Sequence, residues 1–210
     1  MPHKNVLRTF VPDAVYHCYN RGVEKRQTFM DEQDYGVFLN RLKQMLSYPE
    51  DLDESDRVEH IKSYYGDVEL LAYRLMPNHF HLLLYQHSER ALSEFMRTLS
   101  TSYTMYFNNR YQRVGSLFQG TYKARLVSNE ADWLNISRYI HLNPLAMPEG
   151  YLHYQYSSMR SYMTRELCPS WLLPERVLDS FSSLLNYAEF VEYAANHEKL
   201  ESIQNNYSLE

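Results

Sequence analysis

The stretch DVELLAYRLMPNHFHLLLYQ, residues 67–86, decides the fold. Two β-favouring runs, 67–76 and 79–86, are separated only by Pro77 and Asn78. So short a break between apolar runs predicts a hairpin, with the two strands antiparallel neighbours. Side chains alternate along a strand, so His79 and His81 share one face while Phe80, Leu82 and Leu84 share the other.

Working outward, DAVYHCYNRG (13–22) predicts an earlier strand ending in a turn. Residues 31–46 predict a helix capped by Asp31, with Tyr35, Phe38, Leu39, Leu42, Met45 and Leu46 on its apolar face. Residues 47–66 are an acid-rich loop or partly helical excursion. Residues 89–111 form the longest amphipathic helix, with Gly115 as its expected stop. TYKARLV (121–127) is a fourth strand, with Lys123 and Arg125 on one face and Tyr122, Ala124 and Leu126 on the other. Residues 129–144 predict a short helix closed by Pro144, and the segments PSWLLPERVLDSF and NYAEFVEYAANHEKL read as helical. The order strand, helix, strand, strand, helix, strand, helix implies an α+β fold. It is close to the ferredoxin-like antiparallel sheet with helices mainly on one face, plus a helical C-terminal extension. The expected division is 1–148 for the main domain and 149–210 for the extension.

Composition sets the outer limits. Apolar residues are 44% of the 210, enough for a core, and no run approaches a membrane span. No secretory pattern opens the chain, so the expected location is cytoplasmic. Cys18 and Cys168 are too few and too far apart for a disulfide framework or zinc cluster. Net charge is −5, but it is unevenly spread. Residues 70–128 carry seven basic against two acidic side chains, and 148–210 four against nine. The middle can face an anion while the tail stays away from it; charge counting alone favours ordinary solvated faces.

Two imidazoles at i, i+2 can reach one metal ion or one phosphate, though a further ligand is needed to complete a site. His17 and His87 are read as bystanders or as supports behind such a site. Tyr139 and Asn143, four residues apart, share one face of their helix at the margin of its buried stripe. That placement suits a nucleophile looking into a cleft. It equally suits a packed tyrosine and an asparagine closing the helix end.

Three segments, YRLMPNHFHLLL, GSLFQGTYKARLV and SRYIHLNPL, resemble in that order the motifs of the HUH single-tyrosine transposases. The nearer likeness is to the branch associated with repetitive extragenic palindromes, and it covers roughly 13–165. The resemblance implies that His79 and His81 hold a divalent metal, Mg²⁺ or Mn²⁺, with Asn143 as third ligand and Tyr139 as nucleophile. It implies nicking and rejoining of single-stranded, often hairpin, DNA through a 5′-phosphotyrosine. Arg21, Arg110, Arg113, Lys123 and Arg125 are then candidates for phosphate contact, and Gln119 and Tyr122 for bases or sugars. A monomer is expected, with no membrane partner. The alternatives are a catalytically idle DNA-hairpin-binding protein of the same fold and a metal phosphoesterase in which Tyr139 is structural.

Overall fold

The computed structural model describes residues 10–143 and 148–197. The strands are β1 (Ala14–Arg21), β2 (Val68–Met76), β3 (His79–Gln86) and β4 (Lys123–Val127). The helices between them are α1 (Glu32–Leu46) and α2 (Ala91–Arg110), followed by α3 (Glu130–Leu142). The tail adds α4 (Gly150–His153), α5 (Met159–Met163), α6 (Glu175–Leu178) and α7 (Leu184–His197). The sheet order is β2-β3-β1-β4, and every neighbouring pair is antiparallel. β1-α1-β2 and β3-α2-β4 each cross over one intervening strand, which is the split arrangement of the ferredoxin-like fold.

Local chemistry explains the elements. Met76 pairs with His79 across Pro77-Asn78, closing the expected hairpin. Asp31 caps α1 by accepting from the Asp34 amide at 3.2 Å. The acidic 47–66 segment is anchored to α1, where Gln44 exchanges two hydrogen bonds with the Val58 backbone at 2.9 and 3.0 Å. Helix α2 stops at Arg110, before Gly115; Gln112, at φ 50°, makes the first left-handed turn after it. Pro144, the expected helix stop, lies outside the described residues.

The sheet has a core on each face. Phe80, Leu82 and Leu84 of β3 pack with Phe38 and Leu42 of α1 and with Phe95, Leu99 and Tyr103 of α2. That is the helical layer the sequence predicts. The opposite face is not bare, because Val15, Leu83 and Tyr85 meet Ile136 and Ile140 of α3 and Tyr162, Tyr187 and Val191 of the tail. Fully burying a side chain such as Leu83 stabilises the fold by about 1.5–3 kcal/mol. α3 is therefore held down by its own apolar stripe.

The tail runs along the outer edge of β2. Leu75 donates to the Tyr156 carbonyl at 2.9 Å, Ser158 to that of Tyr73 at 3.0 Å, and Leu173 to that of Leu70 at 2.8 Å. Leu172 and Leu173, expected to be helical, instead follow a turn and lie beside β2, and only Glu175–Leu178 forms a turn of helix after Pro174. Arg176 closes the contact with an ion pair to Glu69 at 2.5 Å and a stack 3.8 Å over the Tyr85 ring. Among the described residues no helix is long and apolar enough to cross a membrane.

Candidate active site

The histidine face of β3 points toward α3. His81 lies between Arg74 of β2 and Tyr19 of β1, and His79 between Met76 and Arg21. Packing of Ile136 and Ile140 on Val15 and Leu83 sets the roll of α3 and turns Tyr139 inward. The Tyr139 ring stands edge-on to His81 at 5.4 Å and to His17 at 5.9 Å between centroids. The chain thus brings its own tyrosine to its own histidines.

Asn143, the residue after α3, joins the two halves. Its backbone N–H donates to the Tyr139 carbonyl at 3.0 Å, and its Nδ2 donates to the Tyr139 hydroxyl at 3.3 Å. Its Oδ1 then faces His79 Nε2 at 3.4 Å. On the far side of that ring, His79 Nδ1 meets Asn78 Oδ1 at 2.7 Å. The Asn78 amide is oriented by donating its Nδ2 to the Lys25 carbonyl at 3.3 Å. His79 must therefore carry its proton on Nδ1, because Asn78 Oδ1 only accepts. Two lone pairs, His79 Nε2 and Asn143 Oδ1, are left facing each other. His81 Nε2 is buried without a partner among the described residues.

Two unprotonated donors, His79 Nε2 and Asn143 Oδ1, with His81 Nε2 as a third whenever its proton sits on Nδ1, fit a divalent cation. Burial holds His79 down to about 4 and His81 well below the usual imidazole range, so both are neutral near pH 7. Among the described residues no three His, Cys, Asp or Glu side chains could hold a metal ion. An ion here would depend on the Asn143 amide and on oxygens from outside the protein. Burial also raises the Tyr139 phenol above its ordinary range, partly offset by the Asn143 hydrogen bond. The hydroxyl is protonated at rest and needs help to ionise.

The family model described as Transposase IS200 like matches residues 42–143, from the end of α1 through Asn143. Over those residues the chain is similar to the IS200-like transposase family. Among solved structures, the REP-associated tyrosine transposase bound to a REP hairpin is 14% identical, with a TM-score of 0.57 over 81% of this chain and 92% of that one. A Deinococcus radiodurans R1 protein described as a transposase is 18% identical, with a TM-score of 0.38 over 67% and 95% of the two chains. At these identities the first likeness speaks to the fold alone, and the second carries no argument. No curated protein matches the chain in sequence.

The basic residues near the site divide by position. Arg21 sits opposite His79 and donates to Gln119 Oε1 at 3.3 and 3.2 Å, while the Gln119 amide bonds the Arg21 carbonyl at 2.7 Å. Lys123 lies 5.9 Å from the centre of the Tyr19 ring, and burial and then Arg21 lower its pKa. These three stand together on the site's side of the sheet end. Arg125 is engaged elsewhere, by Asp132 in the first turn of α3 at 3.0 Å. Arg110 bridges Asp31 at 2.6 Å and the buried Asp34 at 2.7 Å, so it clamps α1 to α2. Arg113 bonds Asn108 at 2.9 Å beyond the end of α2. Tyr122 lies on the other sheet face, where it lines a groove of about 640 Å³ against Met96 and Arg97 of α2.

Two further residues stand at the site: His17, read from sequence as a bystander or a support, and Arg74, which the sequence reading did not place there. His17 is fully buried, with its Nε2 2.8 Å from His81 Nδ1. The register of β1 against β3 is the signal that would have found it. Arg74, also fully buried, donates Nη1 to the carbonyls of Ile140 at 2.6 Å and His141 at 3.3 Å, at the C-terminal end of α3. A cation suits that end of a helix. Burial lowers its pKa to about 9, which leaves it charged at neutral pH. A lone arginine in a strand gives no such signal in sequence.

Proposed function

We propose that this protein is a transposase that nicks and rejoins single-stranded DNA through Tyr139, with a divalent cation held by His79, His81 and Asn143. One observation carries the reading: Asn143 donates to the Tyr139 hydroxyl while its Oδ1 faces the unprotonated Nε2 of His79. A side chain so placed couples a nucleophile to a cation site.

Tyr139 Oη attacks the scissile phosphorus. The new O–P bond replaces the bond to the 3′ oxygen, leaving a 5′-phosphotyrosyl end and a free 3′-OH. The phenol gives up one proton and the departing oxygen takes one, so the exchange is proton-neutral. It is near-neutral in bond energy too, and rejoining runs the same step backward. Asn143 holds the phenol oxygen in place, and the apolar packing around α3 keeps water from the ring. Mg²⁺ or Mn²⁺, when bound, supplies Lewis-acid polarisation of the phosphate and the leaving oxygen.

The substrate is read as hairpin DNA, entering past Arg21, Gln119 and Lys123. The fold neighbour's REP hairpin supports this choice. Because Tyr139 reaches the histidines of its own chain, one copy suffices, and a monomer is proposed. Residues 1–148 are read as the catalytic unit and 149–210 as its extension. The test is incubation with Mg²⁺ or Mn²⁺ and labelled hairpin DNA, followed by a denaturing protein gel. A labelled protein band lost in both Tyr139→Phe and His79→Ala is the expected result. Binding without any adduct would favour a DNA-binding protein without chemistry, and an adduct surviving Tyr139→Phe would place the nucleophile elsewhere.

A further inference from the structure

The two proposed histidine ligands are held in the same way. His79 has its Nδ1 engaged by Asn78 at 2.7 Å, and His81 has its Nδ1 engaged by His17 at 2.8 Å. His79 Nε2 is left facing Asn143 Oδ1, and His81 Nε2 is left buried without a partner among the described residues. The difference is that Asn78 Oδ1 can only accept, whereas His17 Nε2 can accept or donate. The pair His17–His81 therefore has two arrangements. In one, His81 carries its proton on Nδ1 and offers a lone pair at Nε2. In the other, His17 donates, His81 carries its proton on Nε2, and no cation can bind there.

His17 is not explained by packing alone. It is fully buried among Tyr19 at 4.9 Å, His81 at 5.0 Å and Tyr139 at 5.9 Å between ring centres. A phenylalanine would fill that space without the cost of burying polar nitrogens. Its Nδ1 has no partner among the described residues, so its contact with His81 is the one polar return on that burial. We infer that His17 is a positioning residue, holding His81 as the Nδ1–H tautomer so that Nε2 faces a divalent cation. The inference rests on the cation site proposed above. His17 itself touches neither cation nor DNA. Partners behind a metal-binding histidine fix its tautomer and orientation, and losing them weakens metal affinity by about 10–100-fold.

The experiment uses the full chain. Mn²⁺ binding is titrated by the loss of the free-ion electron paramagnetic resonance signal in wild type, His17→Phe and His17→Gln. In parallel, ¹⁵N-histidine NMR of the metal-free wild type reads which nitrogen of His81 carries the proton. The expected results are a His17→Phe affinity about 10–100-fold weaker, and recovery of most of it by His17→Gln, whose Oε1 accepts in place of Nε2. His81 is expected as the Nδ1–H tautomer. If wild type binds Mn²⁺ and His17→Phe binds within twofold, the inference is overturned. A wild-type His81 protonated on Nε2 overturns it as well, even if neither variant folds. Wild type that fails to bind Mn²⁺ at all, with His81 still the Nδ1–H tautomer, defeats the cation reading and with it the purpose assigned to His17.

Discussion

His141 ties the tyrosine helix to the tail, and its replacement should leave a pH-dependent mark. Its Nδ1 meets the Tyr187 hydroxyl at 2.7 Å and its Nε2 the Ser158 hydroxyl at 2.8 Å, all three buried. In His141→Leu both contacts vanish, but neither hydroxyl is orphaned. Tyr187 keeps Ser137 at 3.1 Å, and Ser158 keeps the Tyr73 amide at 2.9 Å. At about 1 kcal/mol per lost bond plus imperfect repacking, the loss at pH 8 is roughly 2–3 kcal/mol. Burial lowers the His141 pKa to about 3, against about 6.5 in the unfolded chain. The unfolded state thus binds the extra proton first, and stability contributed above pH 6.5 is lost as pH falls toward 3. In that window the wild type loses about 1.4 kcal/mol per pH unit through this residue, and the variant does not. His17, His79 and His81 titrate in both proteins and cancel in the difference. Urea unfolding at pH 8, 6.5 and 5 should therefore show the gap between the two proteins shrinking to near zero at the lowest pH. A gap that stays constant would refute a neutral, buried His141.

Tyr139→Phe should abolish the covalent adduct while shifting the urea midpoint little, because the ring that packs against His81 and His17 is kept and the Asn143 bond to its hydroxyl is long, at 3.3 Å. Arg21→Ala should lower the salt slope of single-stranded DNA binding by about 0.7 and leave stability unchanged. Arg110→Ala should do the reverse, lowering the urea midpoint by stripping Asp34 of its cation while the salt slope holds. Gly22→Ala drives a new methyl into the Arg26 carbonyl and to 3.0 Å from the Thr28 methyl. It should destabilise the fold by about 1–3 kcal/mol. Because the Gly22 amide donates to Asn78 at 2.8 Å, it should also broaden the His79 ring resonances in NMR.

What could be read from sequence was whatever depends on period and near neighbours. Strand alternation put His79 and His81 on one face, and helical spacing put Tyr139 beside Asn143. The two-residue break at Pro77-Asn78 gave the hairpin. What stayed hidden depends on partners distant in sequence. Arg110 looked like a free cation because its carboxylates lie on α1, at Asp31 and Asp34. Arg125 looked the same because Asp132 belongs to the next helix. His17 is placed behind His81 by strand register, which alternation within one strand does not give. The second helical layer was missed for a related reason. Leu83 and Tyr85 share the face of the histidines, and the partners that cover them come from α3 and the tail, far along the chain.

The tail's path along β2 has a consequence for how the molecule behaves in a crowd. A sheet of this kind presents two open edges, each a template on which another chain can add a strand. Here the β2 edge is already paired by the backbone at Tyr156, Ser158 and Leu173. The remaining edge is β4, five residues long and carrying Lys123 and Arg125, a poor seed for strand addition. Shortening the chain before residue 156 would bare nine residues of β2, among them Leu70, Leu71 and Leu75. The expected outcome is self-association, visible in light scattering before any loss of secondary structure.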